Sequence, residues 1–77
     1  MKHARADYNR IQDPAGKIPD HEPVFLLRGQ DKFAAITLRL YADEVEQGGG
    51  DPAIVASSRA QADAMDAWPK HKSPDMP

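Results

Sequence analysis

The sequence has no cysteine, which excludes disulfide bonds and thiolate metal sites. Aromatic residues make up only 6% of the chain, and no apolar run exceeds four residues, the length of the run at 24–27. A membrane span needs about 20 apolar residues, so we expect a soluble protein that does not span a membrane. A basic excess is also missing, because 10 Lys and Arg face 12 Asp and Glu, a net charge of −2. This charge balance does not favour a nucleic-acid partner, which general charge attraction would bind only to a basic surface.

The chain is short, with 77 residues, and this length predicts a single small domain. Such a chain buries only about 60% of its unfolded surface on folding. Domains below about 70–80 residues usually depend on disulfides, a metal or a partner chain. Since cysteine is missing, self-association is the expected route, and we predict a homo-oligomer. The start, MKHARADYNR, has no apolar stretch after its charges and does not resemble a secretory signal, so we expect a cytoplasmic location.

The pattern of breakers and apolar residues predicts a mainly α fold, an antiparallel helical hairpin with an extended N-terminal arm. Within the single domain 1–77, we expect an arm at 1–23, an apolar strap at 24–30, the hairpin at 31–68 and a polar tail at 69–77. The strap is bounded by Pro23 and Gly29. It suits a short strand at 24–28 or an extended segment, with a first helical turn as the competing interpretation.

The hairpin has the clearest boundaries. Asp31 is a suitable N-cap for a helix over 32–47, and Gly48 can end that helix in the left-handed conformation. Asp51 and Pro52 are typical of a second helix start, and Pro69 predicts its end near 67 or 68. Helices joined by so short a link are usually antiparallel neighbours. In the arm, we expect a turn at 13–16 and a short helix within 3–12.

The first predicted helix carries two apolar stripes at helical spacing. One contains Ala34, Leu38, Tyr41, Ala42 and Val45. The other contains Phe33, Ile36 and Leu40. The second helix of the hairpin cannot cover both stripes, so either the strap or a second subunit covers this other stripe. The residues predicted to contact a second subunit are Phe33, Ile36, Leu40 and Trp68.

No arrangement of residues predicts catalysis, and we expect a protein that is not an enzyme and needs no cofactor. His3, His21 and His71 lie far apart, whereas a zinc site needs three or four ligands, so no metal site is expected. Ser57 and Ser58 lie within a predicted helix and not in a glycine-flanked nucleophile turn.

A polar cluster in two pieces flanks the strap and is the candidate ligand- or partner-binding site. Arginine offers a planar fork for carboxylates or phosphates, and a tyrosine ring offers a stacking face. The cluster suits a small anionic ligand such as a nucleotide, and it suits ion pairs within or between subunits equally well. Its members are Tyr8, Asn9, Arg10, Gln12, Asp13, Arg28 and Gln30.

The run DYNRIQDPAGKIPDHEPVFLLRGQD, followed by ADAMDAWP and a closing SPDMP, resembles a group of small proteins of phage, prophage and bacterial origin. The resemblance covers most of the chain and implies a mobile-element accessory protein acting inside the bacterial host. Proteins of that kind often inhibit host defences, either by binding a host protein or by sequestering a nucleotide signal.

Three functions remain open from the sequence. The leading hypothesis is a non-catalytic inhibitor of a host anti-phage immune system. The alternatives are a sponge for a cyclic or signalling nucleotide and a small structural or assembly component of a phage particle.

Overall fold

The computed structural model describes residues 2–8 and 13–76. Its elements are β1 (Lys2–His3), a 3₁₀ helix (Ala6–Tyr8), β2 (Pro23–Val24), α1 (Ala34–Gln47) and α2 (Pro52–Ala67). The two long helices pack against each other, so the predicted helical hairpin is confirmed. The contacts divide the chain into two compact units: one holds the described residues up to Leu27 with Asp75 and Met76, and the other runs from Arg28 to Pro74.

In the N-terminal unit, β1 and β2 pair in parallel, with Lys2 opposite Pro23 and His3 opposite Val24. The strand begins at Pro23 and ends at Val24, so it is shorter than the segment 24–28 for which a short strand or an extended conformation was expected. Proline has no backbone N–H to donate and is tolerated at the first position of a strand. Residues 25–28 belong to no strand or helix, so the helical alternative for this segment is wrong.

The short helix predicted within 3–12 is reduced, in the described residues, to the 3₁₀ helix at Ala6–Tyr8. The turn predicted at 13–16 is confirmed. The Gly16 N–H donates to the Asp13 carbonyl over 3.0 Å, and Gly16 has a φ of 62°, which glycine adopts without steric cost. The Asp13 carboxylate accepts the Ile18 N–H at 2.9 Å.

The start of α1 differs from the prediction by two residues. The helix begins at Ala34, and its N-cap is Phe33, with no side-chain cap. Asp31 instead accepts the Phe33 N–H at 2.8 Å, so it caps a turn before the helix. The reason is an extended bridge between Asp31 and Lys72, in which the Lys32 N–H donates to the Lys72 carbonyl over 3.0 Å. This bridge holds Asp31 and Lys32 out of the helix.

The end of α1 is a Schellman motif built on the three glycines. The Gly50 N–H donates to the Val45 carbonyl (2.8 Å), and the Gly49 N–H donates to the Glu46 carbonyl (3.1 Å). The left-handed residue is Gly49, with a φ of 71°, and not Gly48 as predicted, because Gly48 (φ −79°) is still the helix C-cap.

The second helix matches its prediction. The Asp51 carboxylate accepts the Ala53 N–H at 2.8 Å, and Pro52 is the first helical residue. The helices meet through small side chains, and the buried residues of the hairpin are Ala34, Ala35, Ala42, Val55, Ser58 and Ala62. Small residues let two helix backbones approach closely, but they bury little apolar area.

The glycine turn makes a direct prediction. We expect Gly49→Ala to lower the free energy of unfolding by about 1–2 kcal/mol, because alanine is strained in the left-handed region. Gly48→Ala is the matched control and should cost less, since its φ is negative. Urea unfolding followed by circular dichroism measures both, and an equal or reversed order would contradict the assignment of the turn.

Candidate binding site

The residues of the predicted site fall in different parts of the structure. Tyr8 and Asp13 lie in the N-terminal unit, whereas Arg28 and Gln30 lie in the hairpin unit. Three further members lie outside the described residues: Asn9, Arg10 and Gln12.

Tyr8 takes part in a stack that the sequence analysis missed. The Arg5 guanidinium carbon lies 4.5 Å from the centroid of the Tyr8 ring, within the range of a cation–π contact. The two residues are three apart, and the Tyr8 N–H donates to the Arg5 carbonyl across 3.1 Å. The sequence signal that could have predicted this stack is an arginine three residues before a tyrosine, a spacing that one turn brings together.

Two carboxylate residues hold Arg5 in place. Its Nε and Nη2 donate to Asp7 over 3.0 and 2.6 Å, and its Nη1 donates to the Asp75 backbone carbonyl over 2.7 Å. The hydrogen bonds to Asp7 raise the pKa of Arg5. Because Asp7 and Asp75 offset the guanidinium charge, Arg5 is better suited to hold the Tyr8 ring than to attract a distant anion.

Parallel pairing also brings another aromatic residue to this end of the unit. Because β1 and β2 run in the same direction, the residues that follow each strand leave from the same end of the pair. The Arg5–Tyr8 stack follows β1, and Phe25 follows β2. Phe25 is 72% exposed, whereas Leu26 and Leu27 are half-buried. We define Arg5, Tyr8 and Phe25 as the aromatic end of the N-terminal unit.

His3 lies in the strand that leads into this end. Both of its ring nitrogens are buried, and neither has a hydrogen-bond partner among the described residues. A buried polar group left without a partner costs about 1–3 kcal/mol.

Arg28 and Gln30, the second piece of the predicted cluster, form part of a backbone turn. The Asp31 N–H donates to the Arg28 carbonyl (3.0 Å), and the Lys72 N–H donates to the Gln30 carbonyl (2.7 Å), so 28–31 is a turn held by the tail. A Cβ placed on Gly29 would lie 3.5 Å from the Trp68 Cβ, which shows that Trp68 covers this turn. The His71 Nε2 lies 3.0 Å from the Met65 carbonyl.

Two arginines connect the helices in a reciprocal pattern. Arg39 of α1 reaches Asp63 and Asp66 of α2 at 2.8 and 2.7 Å. Arg59 of α2 reaches back to Asp43 and Glu46 of α1 at 3.0 and 3.2 Å. Hydrogen bonds to these carboxylates raise the pKa of both arginines. The largest cause is the bond to Asp63 for Arg39 and the bond to Glu46 for Arg59. The acidic pair of each helix is thus bound to an arginine of the other helix.

A shallow cleft of ≈ 360 Å³ lies beside the glycine turn. Its only cationic group, Arg59, is bonded to two carboxylates, so the cleft has no charge to spare for an anion. Its lining residues are Glu46, Gly50, Pro52, Val55, Ala56 and Arg59.

Within residues 2–8 and 13–76, three or more metal-ligating side chains never come together. In the same residues, neither helix has the length and apolar character needed to cross a membrane. The chain matches no protein-family model, and no curated protein or solved structure shows significant similarity to it.

The reciprocal ion pairs predict a salt-dependent contribution to stability. We expect Arg59→Met to lower the melting temperature at low ionic strength, because it leaves Asp43 and Glu46 close together without a cation. The difference from wild type should shrink at high salt, where exposed charges are screened. Lys17→Met, which removes a charge from the exposed turn of the other unit, is the control. An Arg59→Met effect that is unchanged by salt would contradict the electrostatic account.

Proposed function

We propose that this chain is a non-catalytic phage or mobile-element accessory protein that inhibits a host anti-phage immune system by binding one of its components in the bacterial cytoplasm. The observation that carries the proposal is the aromatic end of the N-terminal unit, where Phe25 is 72% exposed. Tyrosine and arginine are enriched among binding hot spots, and at this end Arg5 stacks on Tyr8. The resemblance to phage and prophage proteins supplies the context, and Tyr8 and Phe25 both belong to runs that carry that resemblance.

A host protein is the first candidate target. Leu26 and Leu27, which follow Phe25, are half-buried, so the backbone that carries the exposed Phe25 is anchored by its next two residues. A ring presented in this way can enter an apolar pocket of a partner without much loss of conformational freedom. Tyr8, held by Arg5, adds a flat face with a hydroxyl.

A nucleotide is the second candidate, and the Arg5–Tyr8 stack favours it. A tyrosine ring fixed by a guanidinium at 4.5 Å is a platform on which a base can stack, a contact worth about 1–3 kcal/mol per base. In this mode the protein would act as a sponge that sequesters a cyclic or signalling nucleotide.

The functional test uses bacterial strains that each carry one anti-phage defence system. We expect expression of the chain to restore plating of a sensitive phage on at least one strain. Phe25→Ala and Tyr8→Ala should each reduce that rescue about tenfold or more, as expected for hot-spot residues. Ile54→Ala, on an exposed position of the hairpin, is the matched control and should act like wild type.

Rescue on no strain would contradict the inhibitor proposal, and it would favour the role of a phage structural component. Titration calorimetry with cyclic and linear nucleotides then separates the two targets. Heat that is lost in folded Tyr8→Ala assigns the sponge mode. Silence across the panel, together with rescue in cells, assigns a protein target, which co-purification and mass spectrometry would identify.

A further inference from the structure

The solvent side of α1 carries large apolar side chains. Phe33, Ile36 and Leu40 are 51%, 60% and 60% exposed. Their spacing of three and four residues puts them on one helical face, opposite the face through which Ala34, Ala35 and Ala42 pack on α2. We define Phe33, Ile36 and Leu40 as the outer face of α1.

In this hairpin the small side chains are buried and the large apolar side chains are exposed, the reverse of what is usual. Alanine, serine and a single valine fill the helix interface, and none of the larger side chains in the described residues is fully buried. The hydrophobic contribution to folding scales with the apolar area removed from water. A hairpin with this core gains little from its own interface and would gain more if the outer face of α1 were covered.

The charges at the two ends of this face indicate what covers it. Lys32 lies just before α1, and its Nζ is 5.2 Å from the centroid of the Phe33 ring, which puts a positive charge at that end of the face. Glu44 follows Leu40 by four residues, one turn further along the same helical face. The face therefore runs from a positive charge through three apolar residues to a negative charge. When two such faces meet antiparallel, the Lys32 that precedes α1 in one copy lies by Glu44 of the other copy, and Ile36 lies by Leu40. A parallel pair would bring like charges together.

We infer that the outer face of α1 binds a second copy of this chain, with the two α1 helices antiparallel about a two-fold axis. The contact is isologous, so each residue pair occurs twice. The helix of 14 residues is about 21 Å long, so the contact is smaller than the roughly 800 Å² per partner of a standard interface. We expect a dimer that dissociates in the micromolar range. This inference does not depend on the proposed function.

Sedimentation velocity over a range of micromolar concentrations tests the inference on the full chain. Wild type should shift from monomer to dimer. Ile36→Glu should weaken the dimer roughly 100-fold or more, because it would bury a carboxylate without a partner. Ala60→Glu, on the exposed side of α2, is the matched control and should dimerise like wild type. Circular dichroism confirms that each variant is folded, and Leu40→Gln replaces Ile36→Glu if the latter is not.

A charge exchange tests the antiparallel orientation. Lys32→Glu alone and Glu44→Lys alone should each weaken the dimer about threefold to tenfold, since each changes a surface ion pair that is made twice. The double variant should recover most of that loss. A wild-type monomer throughout, a dimer that survives Ile36→Glu, a dimer lost on Ala60→Glu, or a double variant no better than the singles would overturn the inference.

Discussion

The close contact between α1 and α2 determines most of what the rest of the hairpin does. Alanine on one helix faces alanine, serine and valine on the other, so the backbones can approach, and the arginines of each helix can reach the carboxylates of its neighbour. The three-glycine turn permits this approach, because its Schellman bonds reverse the chain within a few residues. A Cβ on Gly50 would lie 2.6 Å from the Val45 Cγ1, a distance that no side chain can occupy without displacing its neighbour.

The same contact explains why large apolar residues lie outside. A two-helix interface has one buried side, and here small residues occupy it. Phe33, Ile36 and Leu40 therefore face away from α2. Trp68 instead covers Gly29 and closes the end of the hairpin, so one residue of the predicted oligomer contact has a role within the unit. The remaining three form one continuous face, to which the inference of a second copy applies.

Sequence reasoning was most successful where local chemistry decides the structure. The Asp51–Pro52 start of α2, the Asp13–Gly16 turn and the existence of the hairpin follow from caps, proline geometry and glycine. It was wrong by two residues at Asp31 because the bridge to Lys72 joins residues 41 positions apart, which no local pattern shows. The reciprocal arginine pairs and the Arg5–Asp75 bond were missed for the same reason. Of the three residues at the aromatic end of the N-terminal unit, only Tyr8 was predicted from the sequence as a binding residue, and Arg5 and Phe25 were not.

We infer that this chain completes its apolar burial by association through α1. Association stabilises the folded state by mass action, so the melting temperature of an associating protein rises with its concentration. Thermal unfolding followed by circular dichroism over about a hundredfold range of concentration tests this directly. The account predicts a melting temperature that rises steadily for wild type and stays constant for Ile36→Glu. A wild-type melting temperature that is independent of concentration would contradict it.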